Sequence, residues 1–322
     1  MSLLLGGPHD RLSLARAVDA LADAARRAGR PSALWLVGAI YPSLNLNFDL
    51  VRGVLALVEE FSGIHLPWAG GMGGFVTLFA PAMPLLTRGI RGPHELGPVI
   101  SLLPLTLLSC RLVVGLARVS DPLYAGSTVE LQAVGSSTQT ARPPRLRRLW
   151  QEGKGLAFVA FGLWGMLLLL LFGAMLVLIA PLVALLQLVD VARFSAISAG
   201  LLLPVLVLVL AYAAVLMVVN QLALHSLAHN RRGVASALTH AWRLVRASPL
   251  GALRATMVDF VLFLTVLLVG SVLSRTFFRS GPLETLVVLG LYGFAGVTRA
   301  AYWARTSRAL GGLSHADNVP GL

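Results

Sequence analysis

From Gly155 to Val189 the chain runs 35 residues without one charged side chain. As a helix rising about 1.5 Å per residue, this stretch reaches ~52 Å, well beyond a hydrocarbon core of ~30 Å. A bilayer takes most of such a rod and leaves a bend or a protrusion to be made, for which Pro181 is the natural place. Hydrophobic residues make up 57% of the chain and charged residues 12%, about half of the roughly 25% that covers a soluble surface. The predicted class is therefore all-α, a polytopic transmembrane helical bundle. Soluble, disordered, collagen-like and coiled-coil folds are excluded.

Further apolar runs lie at Ser32 to Phe61, Gly73 to Leu86, Leu96 to Leu116, Ala196 to Leu224, Thr256 to Leu273 and Leu283 to Trp303. Pro42, Asp49 and Arg52 interrupt the first of these. The run from Gly73 to Leu86 has 14 residues and carries Pro81 and Pro84; a crossing helix needs about 20, so a re-entrant or interfacial segment is expected there. With Ser32 to Phe61 taken as one imperfect span, or as two half-spans, the count is about six crossings.

Charge fixes the orientation. The 26 basic residues are 25 Arg and the single Lys154, against 14 acids, for a net +12. With both termini on one side, and Arg299 counted with the C-terminus, that side holds 19 basic residues against seven acids in the termini and the loops 117–154 and 228–255. The other side holds six against six. The positive side is cytoplasmic, so a multi-pass protein of a bacterial inner (cytoplasmic) membrane with both termini cytoplasmic is expected. The first ten residues have no basic n-region and only Leu3 to Leu5 as an apolar run, which argues against a cleaved signal peptide. Arginines between apolar runs answer to topology and to anionic headgroups, so membrane lipids are expected partners and nucleic acid is not. Cys110 is the single cysteine, which excludes an intramolecular disulfide and a cysteine-based zinc site.

The chain repeats one plan three times: a basic amphipathic stretch, a Gly or Pro break, then a helical hairpin. The basic stretches are Ala25 to Pro31, Leu146 to Gly153, and Trp242 to Pro249. Each hairpin leaves through a short echo, Leu116-Ala117-Arg118, Leu227-Ala228-His229 and Trp303-Ala304-Arg305. In the first amphipathic segment, Leu12 to Arg27, an apolar face of Leu14, Val18, Leu21 and Ala25 opposes Arg16, Asp19, Asp23, Arg26 and Arg27, which predicts a helix lying on the membrane surface. In the third, Val234, Leu238, Ala241, Trp242 and Val245 make the apolar face. The organisation read from this is an N-terminus with interfacial helix at 1–31, a first hairpin with a glycine-rich exterior segment at 32–118, and a cytoplasmic linker with basic helix at 119–154. Two hairpins joined by a basic cytoplasmic helix follow at 155–310, then a tail at 311–322.

The stretch from Arg232 to Leu310, an amphipathic Ala/Arg-rich helix running into a hairpin that exits through Arg299-Ala300-Ala301-Tyr302-Trp303, resembles the six-helix bacterial membrane families typified by the membrane domain of some glycerophosphodiesterases. The resemblance covers about a quarter of the chain. It implies a membrane domain without catalytic residues of its own.

Three places invite a functional reading, and each has a plainer one. His225 and His229, four apart, share a helix face as two metal-binding or haem-binding histidines do; read plainly, they are interfacial histidines near headgroups. Neither metal nor cofactor is expected, since no third ligand is close in sequence apart from His240. Arg111 and Asp259 fall inside predicted spans, where each costs roughly 2.5 to 3.5 kcal/mol if central. They form an intramembrane pair, act as a relay, or snorkel separately. Gly70, Gly71, Gly73 and Gly74, behind His65 and Trp68, line a pathway through a broken half-span or form an exterior loop that only packs. The chain lacks a nucleophile elbow, a zinc-protease helix and a phosphate loop. The expected function is a non-enzymatic accessory or scaffolding subunit that packs against other membrane proteins or lipids. The alternative is a transporter or permease subunit using the glycine-rich half-span and the Arg111 and Asp259 pair.

Overall fold

The computed structural model describes residues 12–29, 33–41, 96–121, 146–188, 195–276 and 282–312. Among them all regular structure is helical: α1 (Leu14–Ala28), α2 (Leu34–Ile40), α3 (Leu96–Val119), α4 (Leu146–Glu152), α5 (Ala157–Leu188), α6 (Ser195–Asn230), α7 (Val234–Ala247), α8 (Pro249–Thr276) and α9 (Pro282–Ala309). The glycine-rich residues Gly70, Gly71, Gly73 and Gly74 lie outside the described residues. Pro181 does not end a helix, because α5 runs unbroken through it for 32 residues.

The threefold plan of the sequence closes into a ring. The last helices of the three units, α3, α6 and α9, all touch one another. Each also packs on the amphipathic helix that opens the next unit: α3 on α4, α6 on α7, and α9 back on α1. The first hairpin arms α5 and α8 each lie between the last helix of their own unit and that of the unit before. α2 takes the corresponding neighbours, α3 and α9, yet runs in the same sense as α9: Trp35 lies against Gly290 and Gly293, and Gly38 against Gly293 and Gly296. A Cβ added at Gly296 would sit well inside van der Waals contact with the Gly38 carbonyl oxygen. Where the surroundings are as apolar as the side chains, such backbone-to-backbone approach supplies much of the attraction between helices.

The amphipathic helices turn a different face inward from the one their large apolar residues suggest. α1 buries Ala17, Ala24 and Ala28, while Leu14 and Val18 stay exposed. α7 buries Ala237, Ala241 and Leu244 and exposes Trp242; α4 buries Leu149 and exposes Leu146 and Trp150. Alanine permits the closer approach, and the bulky residues are left at the outer edge beside the arginines. Ser13 caps α1 through the Arg16 N–H at 3.3 Å, and the Trp35 indole donates to the Ala28 carbonyl at 2.9 Å, satisfying one of the helix's terminal acceptors.

The outer faces of the long helices are apolar: Phe158, Leu169 and Val177 of α5 are 75%, 70% and 72% exposed. The interior holds Asp121, Gln221, His225, Asp259 and Arg299. Among the described residues Pro249–Gly270 is long and apolar enough to cross a membrane, with a mean hydropathy of 2.1, and 35% of that segment is buried.

Gly296→Ala forces α2 and α9 apart and should lower stability by about 1 to 3 kcal/mol or more. Gly165→Ala, whose added Cβ meets nothing within 4 Å, should cost nothing. Thermal unfolding of both variants in detergent checks the contrast.

Candidate functional site

Asp259 is fully buried on α8. Its carboxylate accepts two hydrogen bonds from Arg299 of α9, from Nε at 2.6 Å and from Nη2 at 2.5 Å. The Trp303 indole N–H donates a third at 3.0 Å. One turn along, the Tyr302 hydroxyl donates to the Ala255 carbonyl at 2.9 Å. Residues 299, 302 and 303 share one helix face by the i, i+3, i+4 rule, so a single side of α9 clamps the α8–α9 hairpin.

The intramembrane pair read from the sequence is thereby corrected: Arg111 and Asp259 are not partners. Arg111 donates from Nε to the Trp150 carbonyl at 2.9 Å, and its guanidinium lies 3.5 Å from the centre of the Trp150 ring. It caps the C-terminal turn of α4, where a cation is favoured, and adds a cation–π contact. The physical reason is reach. α4 crosses α3 at Gly115 and Gly153 so closely that the Arg111 backbone touches Gly153, leaving Arg111 a nearer partner than α8. Arg299, counted above with the cytoplasmic C-terminus, is the side chain that neutralises Asp259.

Two more aspartates are bound to the same helix. Asp23 of α1 pairs with Arg305 of α9, and with Arg27 at 3.2 Å and Arg26 at 3.7 Å. Partial desolvation raises the pKa of Asp23, but Arg305, Arg27 and Arg26 outweigh it and hold the carboxyl below its usual range. Asp121, fully buried just past the end of α3, accepts from Arg308 Nε at 3.1 Å, with a second contact to Arg308 Nη2. Thus α9 contributes Arg299, Arg305 and Arg308 to aspartates on α8, α1 and the end of α3.

The echoes acquire a role in the same scheme. Arg118 pairs with Glu152 of α4 at 3.0 Å, His229 lies 3.7 Å from Asp121, and Arg305 holds Asp23. In each, the preceding apolar residue and alanine are fully buried. The basic residue ending each unit therefore faces an acid from another unit.

His225 and His229 share the inward face of α6, with rings stacked 5.9 Å apart and 10° from parallel. Both lie past the end of the apolar run 196–224. Burial pushes the His225 imidazole well below its ordinary pKa, and His229 adds to the effect. Burial likewise lowers His229, against the pull of Asp121 and with the push of Arg308 and Arg118. Among the described residues no group of three or more His, Cys, Asp or Glu side chains is placed to hold a metal. One turn below, the Tyr41 hydroxyl donates to Gln221 Oε1 at 2.9 Å, tying α2 to α6.

Because Arg111 and Asp259 share no partner, Arg111→Leu and Asp259→Leu should be additive in unfolding free energy to within about 0.5 kcal/mol. The first should cost about 1 kcal/mol and the second about 3 to 5 kcal/mol, since it strands Arg299. A coupling well above 1 kcal/mol would restore the pair this geometry separates.

No protein-family model, curated protein or solved structure matches the chain, so a functional reading rests on this geometry.

Proposed function

We propose that the protein is a non-enzymatic integral membrane protein of the bacterial inner membrane, a multi-pass bundle with cytoplasmic termini that serves as an accessory or scaffolding subunit. The observation that carries this reading is how the charges are used. Arg299, Arg305 and Arg308 are each committed to an aspartate on or next to another helix, and Arg111 to the end of α4. These charges join elements of the bundle to one another. The exposed surface points the same way: α5 and α8 present apolar rows such as Phe158, Leu169, Val261 and Leu268, a face suited to acyl chains or to another membrane protein.

The three amphipathic helices support the lipid side of the proposal. Each leaves bulky apolar residues exposed (Leu14 and Val18, Leu146 and Trp150, Trp242) with arginines close by in sequence. In the plane of the cytoplasmic headgroups, such a helix buries its apolar edge and turns its arginines to anionic lipid.

A photo-crosslinking amino acid placed at Leu268, in cells, tests the reading. A scaffold yields a protein adduct of one defined mass, and the purified chain in proteoliposomes moves no ions above the empty-vesicle rate. Lipid adducts alone, together with substrate-dependent or ion-dependent flux, would favour the transporter alternative.

A further inference from the structure

The three units are comparable residue by residue once their echoes are aligned. With Arg118, His229 and Arg305 in register, one turn back stand Val114, His225 and Ala301, and two turns back stand Cys110, Gln221 and Val297. All of these are buried. Units one and three fill both positions with small or apolar side chains. Unit two alone fills them with an amide and an imidazole. Packing of the ring therefore does not require polar groups there, and a rule broken in one repeat out of three marks a position kept for something else.

The chemistry of that departure is specific. His225 is fully buried, and among the described residues neither of its ring nitrogens has a hydrogen-bond partner; the same holds for the Gln221 amide nitrogen. Leaving such groups dry costs on the order of 1 to 3 kcal/mol each, and buried water is the usual remedy. Neither Gln221 nor His225 lines a cavity directly, but Tyr41, which donates to Gln221, does. A cavity of about 20 Å³ lies between α2, α3, α5 and α6, lined by Tyr41, Cys110, Trp164, Asn220 and Leu224. That is enough for one water molecule, and it shares Tyr41 with Gln221.

We propose that Gln221, His225 and His229 form a hydrated column in which His225 takes up a proton delivered from the cytoplasmic end, where His229 meets Asp121. The column follows one face of α6 at four-residue steps. The charged and titratable groups around it are known from each neighbouring element. α3 presents Arg118 and, at its end, Asp121; α4 presents Glu152; α9 presents Arg308 and, deeper, Arg299 with its partner Asp259 of α8. α2 presents Tyr41, and α7 presents His240, whose ring meets the Gly312 carbonyl that also accepts from Asn230. α5 carries no charged residue. Asp121 supplies the negative charge that would hold a proton at this end, and Arg308 and Arg118 limit how long it stays. The inference does not depend on whether the bundle is a scaffold.

Nitrogen-15 NMR of the full chain, histidine-labelled and reconstituted in lipid nanodiscs, tests it. Magnetisation from water should reach the ring nitrogens of His225, and that ring should protonate as pH falls while tryptophan fluorescence still reports the folded bundle. His225→Val, which installs the residue found in unit one, should fold and lose both signals; should it not fold, the wild-type measurement decides. A His225 ring that receives no magnetisation from water, or that protonates only together with unfolding, overturns the proposal.

Discussion

Everything in this bundle is arranged around the commitment of one helix's arginines. α9 touches α1, α2, α3, α6 and α8, and through Arg299, Arg305 and Arg308 it holds Asp259, Asp23 and Asp121. In the bilayer proposed above there would be little hydrophobic force to choose one helix partner over another, so close small-residue contacts and polar bonds would choose. A fully buried carboxylate without its guanidinium is a heavy cost, and the same is true in reverse. Asp259 and Asp121, both fully buried, therefore accept only the packing that brings their arginines into reach. The ring of three units closes because α1, first in sequence, is drawn to α9, last in sequence, by Asp23 and Arg305 and by the close packing of α9 with α2 at Gly38 and Gly296.

Much of this was legible in the chain. The helical class, the long uncharged run, the three basic amphipathic helices and the echoes all follow from periodicity and charge. Each echo is a buried apolar residue and alanine ahead of a basic group that meets an acid. What periodicity does not carry is partner choice. Arg111 and Asp259 stood out because both interrupt apolar runs, but the crossing of α4 over α3 at Gly115 and Gly153 is a tertiary fact that gives Arg111 the Trp150 carbonyl. Arg299 was hidden by its position near the basic C-terminal end, where a charge tally assigns it to solvent. Its i, i+3, i+4 companions Tyr302 and Trp303 were the available sign that this face turns inward. Large apolar residues misled on α1 and α7: Leu14, Val18 and Trp242 stay exposed, and alanine marks the packed face.

Apolar side chains lie on both sides of the bundle wall: Leu116, Leu163 and Leu222 are buried around the ion pairs, while Phe158, Leu169 and Val177 face outward. Within the bundle the ion pairs account for the charges, and the column on α6 is what they leave over.

Asp259 and Arg299 matter chiefly because neither can be buried without the other. The direct measurement is a double-mutant cycle on unfolding free energy in detergent, with Asp259→Leu, Arg299→Leu and the double variant. Each single change should cost about 3 to 5 kcal/mol, and the double should cost far less than their sum and regain a cooperative transition. A double variant that loses the full sum would mean that the two residues act independently, and the account of α9 as the organising helix would fail.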